Sequence, residues 1–153
     1  MANTITDGSA ASGAVAADGR YISQSDVEDR FGEDNVAEWS NLNPDATEAD
    51  TDRIENAIAH AEDHVDNRFR NSRYAVPLVA VSGTLYQVHD WCAKLAGLWL
   101  YEHRGISDDD AEGGKLGDLA EKVEQEIDGV LSGSVDLNAQ LNHDDAPSAP
   151  VCV

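Results

Sequence analysis

Two histidines four residues apart open the search for chemistry in this chain: His60-Ala61-Glu62-Asp63-His64. At that spacing on a helix, two imidazoles lie on one face and can chelate a metal. A zinc peptidase needs glutamate directly after the first histidine, and that position is Ala61. No nearby cysteine or third histidine at metal spacing completes a ligand set. The pair therefore reads as part of a solvated helix face. Asp108, Asp109 and Asp110 could hold a cation, but they lack the alternating acids, central glycine and closing glutamate of a calcium loop. The chain has no G-x-S-x-G, no phosphate loop and no dinucleotide fingerprint. The expectation is a protein that is not an enzyme and carries no cofactor.

Arg68, Arg70 and Arg73 form a basic knot in a chain with 30 acids, 10 bases and a formal charge of −20. Three arginines without stacking aromatics or a basic surround make a poor nucleic-acid patch. They suit bidentate pairing with carboxylates, either within the fold or on a neighbouring chain. The overall charge argues against adhesion to DNA or to an anionic membrane. Self-repulsion on this scale is screened at ~1 M salt, where the Debye length is about 3 Å. Only three bases are lysines, and a halophilic source fits that surface. Cys92 and Cys152 are too few for a disulfide framework and are expected to be reduced. There is no signal-peptide pattern at the start, and no apolar run approaches the ~18 residues of a membrane span.

The elements that must position these groups are helical. The expected class is all-α: a small bundle of about four helices with extended N- and C-terminal arms. Residues 1–20 read as a flexible N-terminal arm, 21–137 as the helical domain, and 138–153 as an extended C-terminal tail whose loss would leave the bundle folded. The first helix runs from Ser23 to Phe31, with Asp26 completing a capping box, Gly32 as its stop, and one more turn around Asn35–Trp39. A turn at Asn43-Pro44-Asp45 follows. The second helix, Thr47 to Phe69, carries a stripe of Ile54, Ala57, Ile58, Ala61, Val65 and Phe69. The third, Thr84 to Arg104, carries Leu85, Val88, Cys92, Leu95 and Trp99, and Trp91, Leu98, Leu100 and Tyr101 widen its apolar face. A helix apolar nearly all round is central, or has a second face for a subunit contact. The fourth runs from Leu116 to Leu131. Only Tyr74–Val81 could pair as a strand, and Pro77 weakens it.

The order of short motifs adds a resemblance. Tyr21-Ile22-Ser23 with Asp26 through Arg30-Phe31-Gly32 resembles the opening of the head–tail connector (adaptor, or head-completion) proteins of tailed viruses. Ala57, Ala61, Val65 and Asp66 match that family's amphipathic helix. Arg73-Tyr74-Ala75-Val76-Pro77-Leu78 matches its joint, Trp99 to Arg104 the end of its buried helix, and Gly133 to Leu137 its closing signal. The resemblance covers about residues 21–137. The joint after Leu78 (VAVSGT) is longer than the pattern, and it and both arms inherit no assignment.

The resemblance implies a ring of about a dozen copies under the portal of a viral head. Such a ring extends the DNA channel and presents a surface to a stopper or tail-completion protein. DNA would pass without sequence-specific binding, and no membrane is involved. The candidate portal or subunit contacts are then Arg68, Arg70, Arg73, Tyr74, Val76, Pro77 and Leu78 at the joint, with Trp91, Trp99 and Tyr101 on the third helix. The C-terminal tail would dock through Leu141, Pro147, Pro150, Val151 and Val153. The rival expectation is a non-catalytic acidic binding or assembly protein, of the tail-completion or DNA-mimic type.

Overall fold

The computed structural model describes residues 15–43, 45, 47–104 and 111–142, with the backbone alone for 111–113. Five helices follow in order: α1 (Gln24–Phe31), α2 (Glu33–Ser40), α3 (Thr51–Phe69), α4 (Tyr86–Glu102) and α5 (Ala111–Leu131). The chain is an all-α bundle. Residues 1–14, the acidic run at 108–110, Pro44 and the tail from 143 onward, with Cys152, lie outside the described residues.

Local chemistry sets the helix ends. Ser23 caps α1, and its backbone N–H donates to Asp26 Oδ2 at 2.8 Å, so aspartate does the work more usual for glutamate. Gly32 then takes φ +95°, a conformation that side chains resist. Its N–H donates to Glu28 O, and its carbonyl accepts from Val36 N. One glycine thus ends α1 and starts a separate eight-residue α2, where the sequence suggested one added turn. α3 begins at Thr51 rather than Thr47. The Asp50 side chain accepts from Asp52 N and Arg53 N, and Ser40 Oγ accepts from Asp50 N at 3.0 Å. α5 begins five residues before the expected Leu116, because exposed Gly114 and Gly117 add nothing to the apolar stripe that marks a helix in sequence.

α4 sits at the centre, against α3 on one side, α1 and α2 on another, and α5 on a third. The α3 stripe is buried as expected. On α4 the buried face is turned from the expected one. Leu85, Val88, Trp91, Cys92, Ala93, Ala96, Leu100 and Tyr101 are inside, whereas Leu95, Leu98 and Trp99 are half-buried. Small residues cause this: Phe31 lies directly on Gly97, drawing α1 onto a face that hydropathy undervalues. Two aromatic clusters fill the core. Phe69 stacks on Trp91 and meets Tyr74 edge-on, and Trp39 meets Phe31 and Tyr101 edge-on.

The possible strand at 74–81 finds its partner in the C-terminal segment. Tyr74 bridges Leu141 and Ala80 bridges Ala139, both antiparallel. Gln140 O accepts from Ala75 N, while Gln140 N donates to Val79 O, so 76–78 bulge out of the ribbon around the cis Val76–Pro77 bond. The bulge turns Leu78 into the core. Residues 138–142, read from sequence as the start of the tail, therefore belong to the folded unit, with Ala139 only 3% exposed. At the other end Ala17 is buried, so the arm also enters the fold before residue 20.

Two glycine substitutions should move stability in opposite directions. A Cβ at Gly97 would fall 2.0 Å from the Phe31 ring, and overpacking of about 1–3 kcal/mol exceeds the ~1 kcal/mol gain in helix propensity. Gly97→Ala should therefore lower the denaturant midpoint. A Cβ at Gly114 meets nothing within 4 Å, so Gly114→Ala should raise the midpoint, through a gain of about 0.5–1 kcal/mol in unfolding free energy. Equilibrium unfolding in high salt reads both.

Candidate functional site

The residues of the spaced motifs meet at a clamp on α3. Glu62 and Asp66, one turn apart, are 2% and 3% exposed. Residues 17–24 fold back on themselves, with Gly19 N donating to Ile22 O and Gln24 N to Ala17 O. This turn lies so close to α3 that a Cβ on Gly19 would fall 2.5 Å from the side chains of Ile58 and Glu62. Glu62 Oε1 accepts from Arg20 N at 3.0 Å, and its Oε2 accepts from Tyr21 N at 2.6 Å and Ile22 N at 3.1 Å. Asp66 Oδ2 accepts from Arg20 Nη2 at 2.6 Å, and its Oδ1 accepts from the Tyr21 hydroxyl. The same hydroxyl accepts from Leu78 N at 2.8 Å. One phenol thus joins the start of the domain, the middle of α3 and the proline joint.

This arrangement sets two ionisations. Burial, then the hydrogen bond to Asp66, pushes the Tyr21 phenol well above the ordinary tyrosine range. Burial, then the negative charges of Glu62 and Asp66, pushes the Cys92 thiol up, which keeps it protonated and inert. The clamp acids were missed as a pair in the sequence. Asp66 stood in the helix motif, but Glu62 read as one more solvated acid. The available signal was position: both fall on the apolar stripe beside Ile58, Val65 and Phe69.

The arginine knot turns inward. Arg68 bonds Glu124 and Asp128 of α5. Arg73 bonds Asp136 at 3.1 Å and the Tyr74 hydroxyl at 3.0 Å, and its guanidinium lies over the Tyr74 ring. Arg70 remains exposed, with its Nε donating to Asn67 Oδ1. Four of the candidate contact residues are core residues instead. Tyr74 is 2% exposed and its hydroxyl accepts from Leu137 N, Leu78 is buried in the bulge, Trp91 is fully buried with Nε1 donating to Glu126, and Tyr101 packs on Trp39. Their side chains leave little area for another chain. Val76 is half-buried; Pro77 and Leu141 are exposed, and Trp99 is half-buried. Pro147, Pro150, Val151 and Val153 lie outside the described residues.

Trp99 lies in a groove of about 590 Å³ between α3, α4 and α5. Ala61, Leu95, Leu98 and Ala120 line it with Trp99, and Asp63 and Glu102 stand at its rim. The two histidines of α3 go to different partners here. His60 stacks on Trp99, as does His103, while His64 Nε2 lies 2.5 Å from Glu124 Oε2. Among the described residues, no group of three or more His, Cys, Asp or Glu side chains could hold a metal ion. Nor is any described helix long and apolar enough to cross a membrane.

The fold is a small acidic helical bundle, closed by contacts among widely spaced motif residues. The chain belongs to the bacteriophage Mu Gp36 family, whose family model matches residues 21–151. It is thus a member of a phage protein family. No curated protein matches it.

The clamp can be tested through its phenol. Tyr21→Phe strands the buried Leu78 N–H and one Asp66 oxygen, and should cost about 1–3 kcal/mol in unfolding free energy. The wild-type chain should also lose stability in alkali. An unfolded tyrosine ionises near its ordinary value of about 10, while the folded one holds its proton to higher pH. The stabilisation is therefore complete below about pH 10 and declines as pH rises through the raised folded value. Urea midpoints across that range should fall more steeply for wild type than for Tyr21→Phe.

Proposed function

We propose that the chain is a structural virion protein, the head–tail adaptor of a tailed virus. It forms a ring of about a dozen copies beneath the portal, extends the DNA channel, and receives the stopper or tail-completion protein. It has no catalytic role. The observation that carries this reading is the clamp: Tyr21, Asp66 and Leu78, from three separate motifs of the adaptor pattern, meet in one hydrogen-bonded unit. Membership of a phage family over residues 21–151 supports it.

The electrostatics suit the role. An acidic lumen repels phosphates, so DNA would slide without adhering. A charge of −20 with few lysines is tolerated best at high salt, which points to a virus of a halophile. The C-terminal segment beyond residue 142 reaches the portal, while 138–142 anchor it to the bundle through the ribbon.

Immunogold electron microscopy of particles kept in high salt tests the location. Label at the single vertex between head and tail is the expected result, and particles free of this chain would overturn the proposal. The anchor makes a further prediction. Deleting 143–153 should leave the unfolding midpoint unchanged and weaken retention on the portal. Deleting 138–153 should lower the midpoint as well, because it removes buried Ala139 and the ribbon hydrogen bonds.

A further inference from the structure

Between Arg73 and His89 the chain runs for 15 residues, 74–88, without a charged or histidine side chain. This is its longest such stretch, in a protein where 26% of residues are charged. Its buried members, Tyr74, Leu78, Leu85 and Val88, belong to the core. Residues 79–86 present a knob at the surface: Val79, Val81 and Tyr86 are 49%, 66% and 78% exposed. Val79 and Val81 alternate onto the same outer face of the ribbon, and Tyr86 opens α4 just beyond it. Exposed tyrosine and valine grouped on a neutral surface mark a contact site.

The matching surface is the Trp99 groove. Trp99 lies 13 residues along α4 from Tyr86, about 20 Å at the helical rise. Leu95, Leu98 and Trp99 stay half-buried there, and about 590 Å³ is room for an aromatic ring and a branched side chain together. Charge decides which surface can enter. The groove is lined by Asp63, Glu102 and Glu124 as well as His60 and His64, and in a chain of 30 acids and 10 bases a charged surface of a second copy would more often bring acids against them. Residues 79–86 carry no acid of their own, and the nearest on α4, Asp90 one turn beyond Tyr86, is paired with Lys94.

We propose that the 79–86 knob of one copy seats in the Trp99 groove of a second copy. The contact rests on the ring reading above and supplies its interface. Knob and groove are different surfaces at opposite ends of α4, so the contact is heterologous and leaves a free knob and a free groove on each pair, as a closed ring needs. It also assigns a use to the VAVSGT extension of the joint.

Cysteine trapping tests it. In a Cys152→Ser background, one chain carries Thr84→Cys beside the knob and another carries Ala120→Cys in the groove wall, leaving Val81, Tyr86, Leu98 and Trp99 intact. Concentrated together in high salt and oxidised, the two should form a disulfide-linked pair joined through 84 and 120, identified by peptide mass. Neither alone should link to a comparable extent. Adding Val81→Asp and Tyr86→Asp to the Thr84→Cys chain should reduce linking at least tenfold while the helical circular dichroism is kept, since both side chains are exposed. Absence of the mixed pair, or linking that survives the aspartates, overturns the contact. Gold label at the neck combined with either of those results would leave the adaptor role standing and remove only this interface.

Discussion

Two carboxylates buried on one face of α3 are the constraint from which the tertiary contacts follow. Taking a carboxylate out of water costs several kcal/mol unless donors replace the solvent. Glu62 and Asp66 are satisfied by donors of a single short segment: the backbone N–H groups of Arg20, Tyr21 and Ile22, the Arg20 guanidinium and the Tyr21 hydroxyl. The first residues of the domain therefore have to lie across the middle of α3. Gly19 is what lets the backbone come that close.

The consequences run outward from the phenol. Tyr21 accepts the Leu78 N–H, which fixes the bulge at the proline joint and with it the start of α4. Tyr74, four residues before Leu78, accepts from Leu137 N and so fixes the chain leaving α5. The C-terminal segment then zips onto the joint as a ribbon. Each of these contacts bridges more than 40 residues of sequence. The acids are thus a point of assembly for the fold.

Charge is divided between inside and outside. Arg20, Arg68, Arg73 and Lys94 all pair with acids of the same chain. The partly exposed pairs of Arg68 and Arg73 add little free energy, but Arg68 fixes how α5 lies against α3. With these bases engaged, the outer surface is left strongly acidic. The neutral joint and the apolar groove are the places where the adaptor reading finds room for an interface.

Much of this was legible in the chain itself. The all-α class, the α3 stripe, the capping aspartate and the glycine break follow from periodicity and local backbone chemistry, which act over a few residues. The motif order that suggested a phage protein family is likewise a property of sequence. Helix starts at Thr51 and before Leu116 were less legible, because a hydrogen bond from Asp50 N to Ser40 Oγ, or exposed glycines such as Gly114 and Gly117, leave no apolar mark. The tertiary structure alone decided that Glu62 and Asp66 are interior, that Tyr74, Trp91 and Tyr101 are core rather than contact residues, and that Leu95, Leu98 and Trp99 line a groove. The reason is physical. Periodicity gives a helix a face, but whether an acid on that face is buried depends on donors delivered from 40 residues away, and which apolar residues stay accessible depends on where small neighbours such as Gly97 let another helix approach.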